Sequence, residues 1–261
     1  MPICSWCDLK KSRKEMSREH IWPNWMNSVF PVPLAPYDVT VRQQLEGEAL
    51  TVATKRAVKI NERVPTVCAT CNNGWMSAIE NEVKPLMTPL LLAHPGASLD
   101  PAQALLVACW AAKTVAVLED VHGRRVTTQE QRHLIRQHKM PPPQTHVHAA
   151  WYSGADGPVR VLRFTGEGPA GGPYEGRAAA VTGMILGALV LIVLQSPSSS
   201  YGVGHEVGCV RPDYVSLWPP VPTGVAWPPQ VAVGRARVHQ MMHDVMPGAQ
   251  FPAASTIEDW F

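Results

Sequence analysis

The stretch CATCNN, residues 68–73, decides how the N-terminal part of this chain folds, because it carries the second of two Cys-x-x-Cys pairs. The first pair is CSWC, residues 4–7. Two residues between cysteines allow both sulfurs to face one metal ion, and two such pairs complete a tetrahedral Zn²⁺ site. Four protein ligands leave no open position, so this zinc would stabilise the fold and not act on a substrate. The predicted zinc ligands are Cys4, Cys7, Cys68 and Cys71.

The composition agrees with a folded protein that keeps its thiols reduced. The chain has 261 residues, of which 46% are hydrophobic and 17% charged, so it is not a disordered chain. Its N-terminal segment has no apolar stretch of the kind that a secretory signal contains. We therefore expect a cytoplasmic protein, in which closely spaced cysteines bind metal and do not form disulfides. Cys109 and Cys209 lie in apolar runs and are expected to be core thiols.

Between the two cysteine pairs lies SREHIWPNWM, residues 17–26, which places Glu19 directly before His20. Successive side chains on a strand point to opposite faces, so these two residues would not act as a simple pair. Asn72 follows Cys71 directly. If one zinc ion binds both cysteine pairs, we expect Glu19, His20 and Asn72 to come close together.

The order of these motifs resembles the zinc-stapled HNH, or His-Me finger, endonucleases. That family includes the recombination endonuclease VII type and small phage and actinobacterial HNH proteins. The resemblance covers residues 4 to about 80 and implies a ββα-metal, treble-clef-like module. It implies that His20 is the general base, and that Glu19 and Asn72 bind one catalytic Mg²⁺ or Mn²⁺ ion. The implied substrate is DNA, with RNA as a possibility.

The chain departs from the commonest family pattern in two ways. His20 and Cys68 are separated by 47 residues, which is longer than in minimal modules and suggests an inserted β-hairpin. No second histidine follows Asn72, and Asn73 is a rival for its role as ligand. The chemistry is nevertheless coherent, because phosphodiester hydrolysis needs a base for water and a cation for the developing negative charge. A neutral imidazole and hard oxygen ligands meet those needs.

Basic residues are crowded just before the Glu-His pair. A surface that contacts nucleic-acid phosphates is one interpretation, and an ordinary solvated surface is the other. The net charge of +2 decides nothing by itself. The predicted phosphate-contacting residues are Lys10, Lys11, Arg13, Lys14 and Arg18.

The remaining sequence predicts an α+β protein with two parts. The first, residues 1–93, is the zinc module with a β-hairpin within residues 37–60. A helix is expected from Gly74 onward, kinked or ended by Pro85. The second part, residues 98–261, begins with helices and continues as an antiparallel sheet. Its role would be substrate recognition, homodimerisation or regulation.

Three helix termini are predicted more closely. Asp100 is expected to cap a helix whose first residue is Pro101. Thr127 and Glu130 form a capping-box pattern that predicts the start of another helix. RARVHQMMHDVM, residues 235–246, predicts a last helix.

Two alternatives to an endonuclease stay open at this point. The zinc module could bind nucleic acid without cutting it, with Glu19 and His20 in structural roles. Residues 178–194 carry no charge and are long enough to approach a membrane span, although a buried strand or strand pair is favoured. Two histidine pairs could also bind metal by their spacing alone: His146 with His148, and His239 with His243.

Overall fold

The computed structural model describes nine ranges of the chain: 1–17, 19–30, 37–44, 51–58, 63–122, 125–154, 159–167, 178–195 and 211–244. Arg18 and Cys209, two residues named in the sequence analysis, lie outside these ranges. The strands are β1 (Glu19–His20), β2 (Tyr37–Gln44), β3 (Thr51–Val58), β4 (Arg63–Val64), β5 (Ala97–Leu99), β6 (Thr145–Trp151), β7 (Val159–Glu167), β8 (Ala178–Leu186), β9 (Leu189–Gln195), β10 (Tyr214–Trp218) and β11 (Val225–Trp227). The helices are α1 (Met26–Val29), α2 (Ala69–Cys71), α3 (Ser77–Leu91), α4 (Pro101–His122), α5 (Gln129–His138) and α6 (Arg235–Asp244), with a π-helical turn at Asn72–Met76 between α2 and α3.

A seven-stranded sheet dominates the described part of the chain. Its strand order is β10-β6-β9-β8-β7-β2-β3, and every neighbouring pair is antiparallel except β2 and β7. Two small antiparallel pairs, β1 with β4 and β5 with β11, lie outside it. The predicted α+β class with antiparallel sheet is therefore confirmed. The predicted hairpin is also present as β2 and β3, and it joins the large sheet through β7.

The apolar segment 178–194 forms the strand pair β8–β9. The two strands are linked by a turn at Gly187, whose φ of +58° is a conformation that favours glycine. Every residue of β9 is buried, as expected for a strand whose two faces are both covered. None of the helices in the described ranges has the length and apolar character needed to cross a membrane.

Each face of the sheet packs against a different set of residues. Val193 on β9 and Val147 on β6 belong to the core that contains helix α4. Ile192 and Leu194 belong to a second core, which Val238 and other α6 residues cover. The alternation along β9 follows from the strand geometry, in which successive side chains point to opposite faces.

The larger core also contains residues of the N-terminal part. Trp6, Trp22 and Met76 are buried in the same cluster as Trp110 on α4 and Leu191 on β9. The predicted division between residues 93 and 98 stays a prediction. What the structure shows is that the two ranges share a buried apolar interface.

The predicted helix termini are only partly correct. Asp100 caps α4 as predicted, since its Oδ1 accepts from the amide of Gln103 at 2.8 Å. The capping box predicted at Thr127 and Glu130 is displaced by one residue. Thr128 caps α5 and exchanges hydrogen bonds with Gln131. The hydroxyl of Thr127 instead accepts from Nε2 of Gln195 at 2.6 Å.

Helix α3 does not end at Pro85. It continues through Pro85 and Pro89 to Leu91. Its residues Ile79, Val83 and Met87 are fully buried in the larger core. Burial of this apolar face stabilises the helix more than the two prolines disfavour it.

Candidate metal centre and the Glu19–His20 segment

The four cysteines of the two Cys-x-x-Cys pairs meet in one cluster. Their sulfur atoms all lie within 4.8 Å of one another. The Sγ atoms of Cys7 and Cys68 are 3.8 Å apart. A tetrahedral zinc site with Zn–S bonds of about 2.3 Å places its sulfurs about 3.8 Å apart, so the observed spacing fits zinc. Among the described residues, no other group of three or more Cys, His, Asp or Glu ligands lies this close together.

The surroundings of the sulfurs favour the metal-binding thiolate form at Cys4, whereas burial raises the pKa of Cys7. The backbone amide of Cys68 donates a hydrogen bond of 3.3 Å to Sγ of Cys4. A hydrogen bond from the Cys71 thiol is the main cause that lowers the pKa of Cys4, to about 4. The same interaction raises the pKa of Cys71. Cys109 is different, since burial raises its pKa to about 12, as expected for a core thiol.

Backbone contacts hold the segment before Glu19 against the second cysteine pair. Met16 and Cys68 form an antiparallel bridge. The amide of Ser17 donates to the carbonyl of Val67 at 2.8 Å, and the amide of Ala69 donates to the carbonyl of Glu15 at 2.8 Å. The metal centre therefore lies next to the chain that leads into β1.

Asn72 is joined to this same segment by its side chain. Its Nδ2 donates a short hydrogen bond to Oγ of Ser17, two residues before Glu19. Asn72 also begins the π-helical turn that leads into α3. Asn72 is thus joined to Ser17, and the expectation that it lies close to Glu19 and His20 stays a prediction.

Glu19 and His20 form the two-residue strand β1, which pairs with β4. Glu19 is buried, at 3% exposure, whereas His20 is only half-buried. Trp22 is in the core, and Trp25 packs against it. The two residues of β1 therefore occupy different environments, as the alternation of side chains on a strand requires.

The Glu19 carboxylate faces helix α4 and forms a buried ion pair there. Oε1 of Glu19 lies 3.2 Å from Nζ of Lys113, which is fully buried. The same Nζ lies 2.9 Å from Oε1 of Glu80 on α3. The Glu80 side chain is therefore mostly buried, at 21% exposure. Sequence reasoning missed Lys113, although a single lysine in the apolar run ALLVACWAAKTVAVL was a visible signal.

Burial and neighbouring charges shift the pKa values of Glu19 and Lys113 in opposite directions. Burial raises the pKa of Glu19, although the positive charge of Lys113 lowers it in part. Burial alone would lower the pKa of Lys113, but the negative charges of Glu80 and Glu19 outweigh it and raise this pKa. The ammonium group is therefore held in its charged form between two carboxyl groups.

A second charged cluster connects the metal centre with the sheet. Asp120 on α4 accepts from Arg132 at 3.0 Å and from Thr66 at 2.8 Å. Glu119, one residue earlier, pairs with Arg163 on β7 at 2.7 Å. All these charged side chains are buried, which requires such pairing.

The basic residues before β1 are mostly at the surface. Lys10, Arg13 and Lys14 are exposed, and Lys11 is half-buried, 3.6 Å from Glu15. The fifth predicted contact, Arg18, is outside the described residues. Four cations thus lie within five residues of one another along the chain that leads into β1.

Comparisons with protein-family models, with curated proteins and with solved structures find no match to this chain. The resemblance to HNH endonucleases therefore continues to rest on the motif residues alone.

Proposed function

We propose that this chain is a metal-dependent HNH endonuclease that hydrolyses phosphodiester bonds in DNA. One observation carries the proposal: the hydrogen bond from Asn72 to Ser17, next to the four-cysteine cluster. It joins the residue after the second cysteine pair to the segment that contains Glu19 and His20. In the proposed module, zinc holds these two segments together, and β1, β4 and α3 supply the ββα arrangement.

His20 is the proposed general base. It is half-buried on the face of β1 opposite the buried Glu19, so a water molecule can reach it. A neutral imidazole can accept the proton of the attacking water near pH 7. The exposed Lys10, Arg13 and Lys14 would contact phosphates of the substrate.

Glu19 and Asn72 are the proposed ligands of a hard divalent ion such as Mg²⁺ or Mn²⁺. Glu19 supplies carboxylate oxygens, and Asn72, which donates to Ser17 through Nδ2, supplies an amide oxygen. Lys113 lies beside the carboxyl groups of both Glu19 and Glu80, at 3.2 and 2.9 Å. When bound, that ion would stabilise the charge that develops at phosphorus and on the leaving oxygen.

Cleavage of supercoiled plasmid by the zinc-loaded full chain tests the proposal. We expect nicking that requires added Mg²⁺ or Mn²⁺, with an RNA of equal length as a parallel substrate. His20→Ala should slow cleavage by about 10²- to 10⁴-fold, the usual effect of losing a general base. The exposed His94→Ala is the matched control and should cut like the wild type. Equal cleavage by His20→Ala and the wild type would refute the mechanism.

A second candidate, a zinc-dependent nucleic-acid-binding protein without catalysis, is favoured by the buried ion pair of Glu19. A carboxylate that pairs with Lys113 can have a purely structural role, in which it links β1 to α4. This candidate predicts DNA binding with no cleavage in Mg²⁺ or Mn²⁺. A gel-shift assay run beside the plasmid assay separates the two functions.

A further inference from the structure

Lys113 is an unusual residue in its surroundings. It is the one charged residue between Pro101 and Leu118 of α4, and none of its side chain is exposed. Transferring an ammonium group from water to a protein interior is costly unless the group is paired. Lys113 is paired twice, with Glu19 on β1 and with Glu80 on α3. Three separate elements therefore meet at one cation.

This arrangement restrains the orientation of the Glu19 side chain. Its carboxylate is anchored through Oε1 to an ammonium that is itself anchored to Glu80. Strand β1 has only two residues, so the inward anchor of Glu19 also determines how the backbone presents His20 on the other face. Second-sphere groups of this kind commonly orient metal-binding carboxylates.

We propose that Lys113 is a positioning residue of the cleavage site. Its ammonium group, shared between Glu19 and Glu80, fixes the Glu19 carboxylate for a divalent ion and fixes β1 for His20. The inference rests on the proposed function, and it makes the site in the N-terminal part depend on helix α4 of the second part.

The decisive variant is the double substitution Lys113→Met with Glu80→Gln. It removes one cation and one anion together, so the net charge of the cluster is unchanged while the anchor of Glu19 is lost. The matched control is Lys139→Met with Glu82→Gln. That pair has the same chemistry and a 3.1 Å contact, but both side chains are about half exposed.

Two measurements are made on each zinc-loaded full-length protein. Binding of Mn²⁺ is followed by electron paramagnetic resonance, and plasmid cleavage gives kcat and KM. For the Lys113/Glu80 variant we expect Mn²⁺ binding and kcat to fall about 10- to 100-fold, the usual effect of losing a second-sphere partner. KM for DNA should stay close to that of the wild type, because the phosphate-contacting residues are untouched. The control should match the wild type in both measurements.

Wild-type Mn²⁺ affinity and kcat in the folded Lys113/Glu80 variant would overturn the inference, as would a wild-type protein that binds no Mn²⁺. If the wild type binds Mn²⁺ but cuts nothing, while the variant loses Mn²⁺, the proposed function fails and the positioning role stands. If circular dichroism shows that the double variant is unfolded, Mn²⁺ binding is measured on the single variant Glu80→Gln instead. A partial loss of Mn²⁺ affinity then supports the role, and an unchanged affinity contradicts it.

Discussion

Thr66, two residues before Cys68, donates a hydrogen bond of 2.8 Å from its Oγ1 to Oδ2 of Asp120 on α4. Asp120 also binds Arg132, and the guanidinium of Arg132 lies 5.2 Å from the centre of the Trp6 ring. Trp6 lies inside the first cysteine pair. Trp6 within the first cysteine pair and Thr66 just before the second therefore contact the same charged cluster, so a change at the metal centre should affect the stability of the larger core.

Cys68→Ser removes one of the four proposed zinc ligands. We expect loss of bound zinc and a fall in the thermal unfolding midpoint of more than about 10 °C, because structural zinc contributes directly to folding. Zinc content and circular dichroism measure the two effects. Cys109→Ser, a buried cysteine outside the cluster, should keep its zinc. A Cys68→Ser protein with one zinc per chain and an unchanged midpoint would contradict the assignment.

Asp120→Asn removes the negative charge that pairs with Arg132 and Arg125 and that accepts the hydrogen bond of Thr66. We expect a loss of about 3–5 kcal/mol in the free energy of unfolding, because breaking a buried ion pair leaves an uncompensated charge. Urea denaturation provides the measurement. The control is Asp213→Asn, whose partner Arg237 is 39% exposed, and here we expect at most about 1 kcal/mol. Similar losses for the two variants would show that burial does not strengthen the contribution of Asp120.

Glu15 provides a prediction about pH. Its Oε2 accepts from the amide of Ser12 at 2.9 Å and from the Ser12 hydroxyl at 2.8 Å. These bonds, and the nearby charge of Lys11, lower the pKa of Glu15 below its ordinary value of 4.5. Because the folded-state pKa is depressed, the stabilisation is present above pH 4.5 and is lost as the pH falls through the lower value. Titration of the Glu15 carboxyl carbon by NMR should give a midpoint below 4.5.

Ser12→Ala is the test of the cause, because it removes the hydroxyl donor and keeps the amide. The titration midpoint of Glu15 should then move part of the way back toward 4.5. A midpoint that does not change would mean that the hydroxyl contributes nothing to the shift.

Lys10→Gln with Lys14→Gln tests the proposed phosphate contacts. If each lysine contacts one phosphate of duplex DNA, the slope of log K against log salt concentration should become shallower by about 2. Fluorescence anisotropy at several salt concentrations measures the slope. The matched control is Lys84→Gln with Lys139→Gln. These two exposed lysines lie on α3 and at the C-terminal end of α5, and the slope of this variant should equal that of the wild type. Equal slopes for both double variants would place the nucleic-acid surface elsewhere.

The features that sequence predicted well are local ones. The spacing in Cys4–Cys7 and Cys68–Cys71 was sufficient to predict the cysteine cluster, because ligand geometry restricts the distance between paired ligands. Asp100 before Pro101 predicted the start of α4, since a helix cap depends on only a few neighbouring residues. The uncharged segment 178–194 indicated burial correctly, and it forms a strand pair.

The features that sequence did not predict depend on distant parts of the chain. Nothing local shows that Glu80 and Glu19 share Lys113, because that contact arises only when α3, β1 and α4 pack together. Thr127 is of a residue type that often caps helices, but its hydroxyl instead accepts a hydrogen bond from Gln195 on β9. The parallel pairing of β2 with β7 could not be predicted either, because strand pairing depends on the whole sheet.

The parallel pairing of β2 with β7 has a consequence for how the protein is made. Val39 lies opposite Val161, so during synthesis β2 leaves the ribosome well over a hundred residues before its partner exists. Until then one edge of the β2–β3 hairpin has unpaired backbone groups, and contacts of such long sequence separation form slowly. During this period the unpaired edge of β2 can form hydrogen bonds with a strand other than β7. Misassembly or chaperone binding should therefore begin at the β2–β3 hairpin.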